Sequence, residues 1–211
     1  MNSQTEKRLI AGPAGLIEVA IDTPPDSFEG RLRGMALVCH PNPTQGGTMD
    51  NKVVQTLARA FVQLGYRSVR FNFRGIGKSE GGWDAGQGEI EDALAVLAAL
   101  RDPGETFVLA GFSFGAFITS QAARRLPEGL AAERLVLVGP ATSRFDTAPV
   151  PAETLVIHGE VDDVVPLASV LDWARPQALP VVVVPGVGHF FHGQLPLLKN
   201  IIVRNWQTLQ I

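Results

Sequence analysis

Residues 109–115 read Leu-Ala-Gly-Phe-Ser-Phe-Gly, and the rest of the chain is best read outward from them. Upstream, Thr106–Ala110 is a short apolar run expected to be a buried strand. Downstream, the pattern predicts a helix over Phe114–Arg125. Between them Gly111-Phe112-Ser113-Phe114-Gly115 forms a GxSxG pentapeptide. A sharp strand-to-helix turn forces its central residue into a strained backbone conformation, and glycine on both flanks removes the Cβ atoms that would clash. Ser113 then sits at a helix N-terminus, where free N–H groups and the helix dipole favour developing negative charge. A serine that merely caps a helix shows the same five letters. The strand before and the helix after favour a nucleophile.

The same alternation runs through the chain. Strands are expected at Leu16–Asp22, Gly34–Cys39, Ser68–Phe73, Arg134–Val138, Leu155–His158 and Val181–Pro185. Most are continuous Val/Leu/Ile/Phe runs, as in strands buried on both faces. Helices are expected at Asn51–Leu64, Glu89–Arg101, Leu167–Ala174 and Gly193–Thr208. Strand–helix alternation of this kind argues for an α/β fold, with a mostly parallel central sheet and helices on both faces. The strands that precede any helix are expected to form an antiparallel hairpin at one edge. No repeat, low-complexity tract or linker interrupts residues 1–211, so a single domain is expected. The 22 glycines and 15 prolines of this 211-residue chain gather at expected strand ends, where the backbone must turn.

Composition removes several function classes. With 18 Lys+Arg against 21 Asp+Glu the formal charge is −3, without the basic signature of a nucleic-acid binder. One cysteine, Cys39, excludes an intrachain disulfide and any Cys-based zinc cluster, and reads as a small core residue. The four histidines are scattered and no HExxH occurs, so no metal is expected. No apolar run approaches the roughly 18 residues that span a bilayer. The opening MNSQTEKRLI lacks the layout of a signal peptide, so a cytoplasmic protein is expected. The segment FRGIGKSEGG imitates two nucleotide-binding motifs. A P-loop of the form GxxxxGK(S/T) needs glycine where Asn72 stands, and GxGxxG beginning at Gly75 needs glycine where Glu80 stands. The residues that follow, Gly81-Gly82-Trp83-Asp84-Ala85-Gly86, are unsuited to open a phosphate-binding helix.

A serine needs a base, and the base needs an orienting carboxylate. After Leu155–His158 the chain reads HGEVDDVVP, placing Asp162 and Asp163 just past a strand end. After Val181–Pro185 it reads GVGHFF, placing His189 past another. Parallel α/β sheets put their sites at the carboxyl ends of strands. Ser113, an acid and His189 therefore follow three late strands in that order.

These segments resemble the α/β-hydrolase superfamily over nearly the whole chain. HGEVDDVVP is similar to its HGxxDxxVP segment, whose acid corresponds to Asp162 rather than Asp163. GVGHFF is similar to the segment bearing the superfamily's catalytic histidine, which selects His189 over His192. His192 then reads as a solvent-facing or capping residue, and His158 as a buried neighbour at a strand end. HPNPTQGGT (40–48) resembles the superfamily's HGN/HGG-type oxyanion loop, with proline after the histidine. Pro41 and Pro43 have no N–H, so within that stretch only Asn42 can donate from the backbone. The second oxyanion donor is the N–H of Phe114. RFNFRGIGKS is similar to the superfamily's DxRGxGxS segment, with Asn72 replacing the acid, and reads as positional. Together these segments resemble a compact bacterial serine-hydrolase group without a cap domain.

The resemblance places a cap after Pro140, and only Ala141–Thr154, containing Pro149 and Pro151, lie before the next strand. That is too short and too proline-broken for a helical lid. An open site admits water, which favours hydrolysis over acyl transfer. Phe112, Phe114, Phe190, Phe191 and Trp83 are candidates for an apolar acyl pocket. The expectation is therefore an esterase acting on small-molecule esters of small to medium acyl groups through Ser113, His189 and Asp162, without a cofactor. A thioesterase, peptidase or acyltransferase would use the same groups, and a binding protein of the same fold would need none of them. Oligomeric state is left open.

Overall fold

The computed structural model describes residues 5–25 and 32–207. Eight strands form one sheet: β1 (Glu6–Gly12), β2 (Gly15–Asp22), β3 (Gly34–Cys39), β4 (Tyr66–Phe71), β5 (Phe107–Phe112), β6 (Arg134–Val138), β7 (Leu155–Gly159) and β8 (Val181–Val184). Their order is β1-β2-β4-β3-β5-β6-β7-β8. β1 pairs antiparallel with β2 and β2 antiparallel with β4; every other pairing is parallel.

Side chains of the central strands alternate between two cores, as the period of two in a strand demands. Ala36 and Val38 of β3, with Val108, Ala110 and Phe112 of β5, face α1 (Lys52–Gln63) and α5 (Leu195–Gln207). Met35, Leu37 and Cys39, with Phe107 and Leu109, face α2 (Gln87–Leu100) and α3 (Phe114–Arg124). A third cluster, including Leu137, Val156 and Val165, seats α4 (Leu167–Ala174). Both faces of the sheet are thus covered, which is why β3 and β5 read as unbroken apolar runs.

Caps fix the helix starts beside the site. Asn51 Oδ1 accepts from Val53 N at 2.9 Å, so α1 begins where the loop after β3 ends. Glu89 is fully buried, and its carboxylate accepts from Gly86 N at 2.7 Å and Asp84 N at 3.0 Å. This pulls the start of α2 back to Gln87, two residues before the expected Glu89. The last helix starts at Leu195 rather than Gly193, and its expected end, Thr208, lies outside the described residues.

One strand assignment needs correction. The expected edge hairpin joined Leu16–Asp22 to Gly34–Cys39. The edge hairpin instead joins β1 to β2, and β3 lies between β4 and β5. All six residues of β3 are buried, so it requires neighbours on both sides. β1 is mostly exposed and reads EKRLIAG, without an apolar run to mark it. The connection between β6 and β7, residues 139–154, contains no helix. Nor is any described helix long and apolar enough to cross a membrane.

Candidate active site

The turn from β5 into α3 is held by backbone against backbone. A Cβ on Gly111 would collide with the Gly115 carbonyl, and one on Gly115 with the carbonyls of Cys39 and His40. The side chain between them stands on strained backbone: Ser113 has φ 57° and ψ −117°. A non-glycine residue in such a conformation costs about 1–3 kcal/mol and persists only where its surroundings hold it. Here Ser113 N donates to Val138 O at 2.9 Å, and Ser113 O accepts from Ala116 N at 3.0 Å.

Three side chains meet at the carboxyl edge of the sheet. Ser113 Oγ lies 3.0 Å from His189 Nε2, and His189 Nδ1 lies 2.6 Å from Asp162 Oδ2. A carboxylate only accepts, so Nδ1 carries the proton and Nε2 is left to accept from the serine hydroxyl. Asp162 Oδ1 accepts from Val164 N at 2.9 Å and Val165 N at 2.7 Å. Burial alone would raise the Asp162 pKa. The hydrogen bonds from His189 and Val165 outweigh it and hold the carboxyl below its usual value. The imidazole rests against Phe112, ring centroids 4.8 Å apart, and a Cβ on Gly139 would press on its Cε1. Asp163 is exposed, and His192 is exposed beside Phe190 with centroids 5.8 Å apart. Neither joins the Ser113–His189–Asp162 set.

Asn42 and Phe114 lie on two segments whose backbones touch, because Gly115 packs on Cys39–His40. Among the described residues, neither the Asn42 N–H nor the Phe114 N–H has a protein acceptor. Asn42 O accepts from Gln45 N and Gly47 N, and Asn42 Oδ1 accepts from Thr44 N at 2.9 Å. His40 braces the same loop. Its Nδ1 donates to Pro41 O at 2.7 Å, and its Nε2 accepts from Phe73 N at 3.1 Å. Those two bonds fix one neutral tautomer, and burial pushes the His40 pKa down to about 4 against the opposing pull of the Pro41 bond. Asn72 adds a second brace, accepting from Met49 N at 2.9 Å and donating to Glu18 Oε2 at 2.8 Å. Burial pushes the Cys39 thiol up to about 12, which removes it as a nucleophile at neutral pH.

Residues 43–178 match the family described as serine aminopeptidase, S33 (Hydrolase_4). The chain belongs to this family. It is also 33% identical over 190 residues to an uncharacterized protein of Rickettsia prowazekii, covering 77% of this chain and 79% of that one. An α/β serine hydrolase without lid from Xanthomonas campestris superimposes with a TM-score of 0.88 at 36% identity, covering 99% of this chain and 96% of that chain. An α/β serine hydrolase homologue from Coxiella burnetii gives 0.80 at 40% identity, over 95% and 96%. The protein is thus a capless α/β-hydrolase, consistent with its helix-free β6–β7 connection.

The expected aromatic pocket is largely core in this hydrolase. Phe112, Phe114 and Phe191 are fully buried; only Trp83, at 41%, and Phe190, at 42%, present rings to solvent. Trp83 rests on Phe114 with centroids 5.2 Å apart, and Phe190 meets His189 edge-on at 5.0 Å. The two exposed rings therefore reach the site by different contacts, one through the neighbour of Ser113 and one through His189. His40 and Asn72 lie within the two segments that resemble superfamily loops, but their bracing bonds, and the part of Glu18 in them, join residues of different segments of the chain. The resemblance of 70–79 to a positional loop is the one sequence signal for Asn72.

Proposed function

We propose that this hydrolase cleaves carboxylic esters of small to medium acyl groups, with Ser113 as nucleophile, His189 as base and Asp162 as the acid that orients it. The observation that carries the reading is the unbroken hydrogen-bond relay, Ser113 Oγ to His189 Nε2 at 3.0 Å and His189 Nδ1 to Asp162 Oδ2 at 2.6 Å. His189 takes the Ser113 proton as Oγ attacks the ester carbonyl, and Asp162 stabilises the imidazolium that forms. The free amides of Asn42 and Phe114 receive the oxyanion. His189 then gives its proton to the leaving alcohol, whose C–O bond breaks. Water, activated by His189, releases the acid and regenerates Ser113.

Turnover of p-nitrophenyl acetate, butyrate and octanoate, matched thioesters and aminoacyl p-nitroanilides tests the reading. The expected result is a kcat/KM for the butyrate ester at least about tenfold above that for the anilides, about 1.4 kcal/mol in transition-state stabilisation. Faster cleavage of the anilides would replace the esterase with an aminopeptidase. Faster cleavage of the thioesters would replace it with a thioesterase.

A further inference from the structure

His158, at the end of β7, takes no part in the relay, yet it is fully buried and polar. Among the described residues its Nδ1 has no partner, a cost that an apolar residue of similar size would avoid. The other nitrogen shows what the histidine does. Nε2 lies 3.0 Å from Val165 O, and a carbonyl only accepts, so the proton is on Nε2. The same nitrogen faces Asp162 Oδ2 at 3.5 Å. Burial keeps the ring neutral against the pull of that carboxylate.

These contacts close a loop around the acid. Val165 N donates to Asp162 Oδ1 at 2.7 Å, while Val165 O accepts from His158. The Val165 peptide is therefore gripped on both sides, by the carboxylate it helps to orient and by the strand that precedes it. The Val165 side chain is buried in the third core cluster, which also holds Val156 of β7. β7 in turn is paired on both edges, to β6 and to β8, with His158 opposite Val183. The rigidity of the sheet thus reaches Asp162 through one side chain.

We propose that His158 is a positioning residue: it pins the 162–165 turn to β7 and so aims Asp162 Oδ2 at His189. This rests on the reading of Ser113, His189 and Asp162 as the reacting set. Two substitutions separate aiming from packing. His158→Asn ends its amide near the place of Nδ1 and falls short of Val165 O. His158→Gln carries an N–H to about the place of Nε2. With p-nitrophenyl butyrate, His158→Asn is expected to lower kcat about 10–100-fold, the usual effect of losing a group that orients a site residue. KM should change less than about threefold, and His158→Gln should restore kcat to within about threefold of wild type. The low-field proton resonance of His189 Nδ1, observed without substrate, should move in His158→Asn and hold its place in His158→Gln. If His158→Asn does not fold, His158→Met supplies an apolar side chain without the donor for the same comparison. A folded variant lacking the donor that keeps wild-type kcat and an unmoved resonance would overturn the proposal, as would a Gln variant that loses as much as Asn. A wild-type protein inert toward every ester, with a resonance that still moves in His158→Asn, would overturn the ester reading and support the positioning role.

Discussion

The turn from β5 into α3 and the connection from β4 into α2 both leave the carboxyl edge of the sheet, and both are rich in glycine. They are held by different physics. In the first, Gly111 and Gly115 lie so close to other backbone that any side chain would collide with a carbonyl. Among the described residues the Ser113 backbone bonds only to main chain, so strand, helix and neighbouring backbone force it. In the second, polar side chains hold a long loop in place. Arg74 binds the fully buried Asp92 through Nε at 3.1 Å and Nη2 at 2.8 Å. Ser79 Oγ donates to Asn72 O at 2.7 Å, and Glu18 accepts from Asn72 and from Lys78 N. A short turn can be set by sterics alone, and a long one needs buried partners.

Substitutions at the two turns should fail in different ways. Ser113→Ala is expected to lose at least about 10⁴-fold in kcat on p-nitrophenyl butyrate while still folding. Ser113→Gly should be equally inactive yet about 1 kcal/mol more stable in urea unfolding, because glycine relieves the positive φ. An unstabilised Gly variant would break the argument that strain is stored there. Gly115→Ala should cost about 4 kcal/mol or prevent soluble expression, since the backbone it meets has nowhere to go. In the other loop Asp92→Ala should cost about 3 kcal/mol by leaving Arg74 underpaired in a largely buried setting. The molecules that remain folded should keep kcat within a few-fold. An Asp92 variant with normal stability and low kcat would show that the loop acts on the chemistry directly.

The two regions are also tied through His40, which bonds the Pro41 carbonyl in one loop and the Phe73 amide in the other. Burial lowers its pKa from 6.5 to about 4, so the folded protein holds the neutral ring while the unfolded chain takes up a proton. The stabilisation is complete above pH 6.5 and is lost as the pH falls toward about 4, a loss of about 3 kcal/mol. His158, also lowered by burial, acts in the same sense. Urea unfolding at pH 7, 5.5 and 4.5 should show this decline, and His40→Gln should flatten it.

The contrast also explains what could be read from the sequence. Ser113 and its glycines lie within one pentapeptide, and Asp162 and His189 each follow an apolar run by a few residues. Such local strings carry their own turn and strand signals. The second loop depends on partners elsewhere in the chain: Asn72 meets Glu18 only once β2 lies beside β4, and Arg74 meets Asp92 only once α2 folds back over the loop that precedes it. The insertion of β3 between β4 and β5 was equally hidden, because every buried run looks alike along one dimension. β1 carries little sequence signal because an exposed edge strand needs no apolar pattern. The five aromatic residues near the site could not be divided into core and rim from their positions alone.

The most direct test of Ser113 as an activated nucleophile is covalent labelling of the folded protein with a fluorophosphonate, followed by peptide mass mapping. A single adduct on Ser113, absent in Ser113→Ala and formed at least about 100-fold more slowly in His189→Gln, is the expected result. A folded protein that takes no label, or takes it on another residue, would contradict the account.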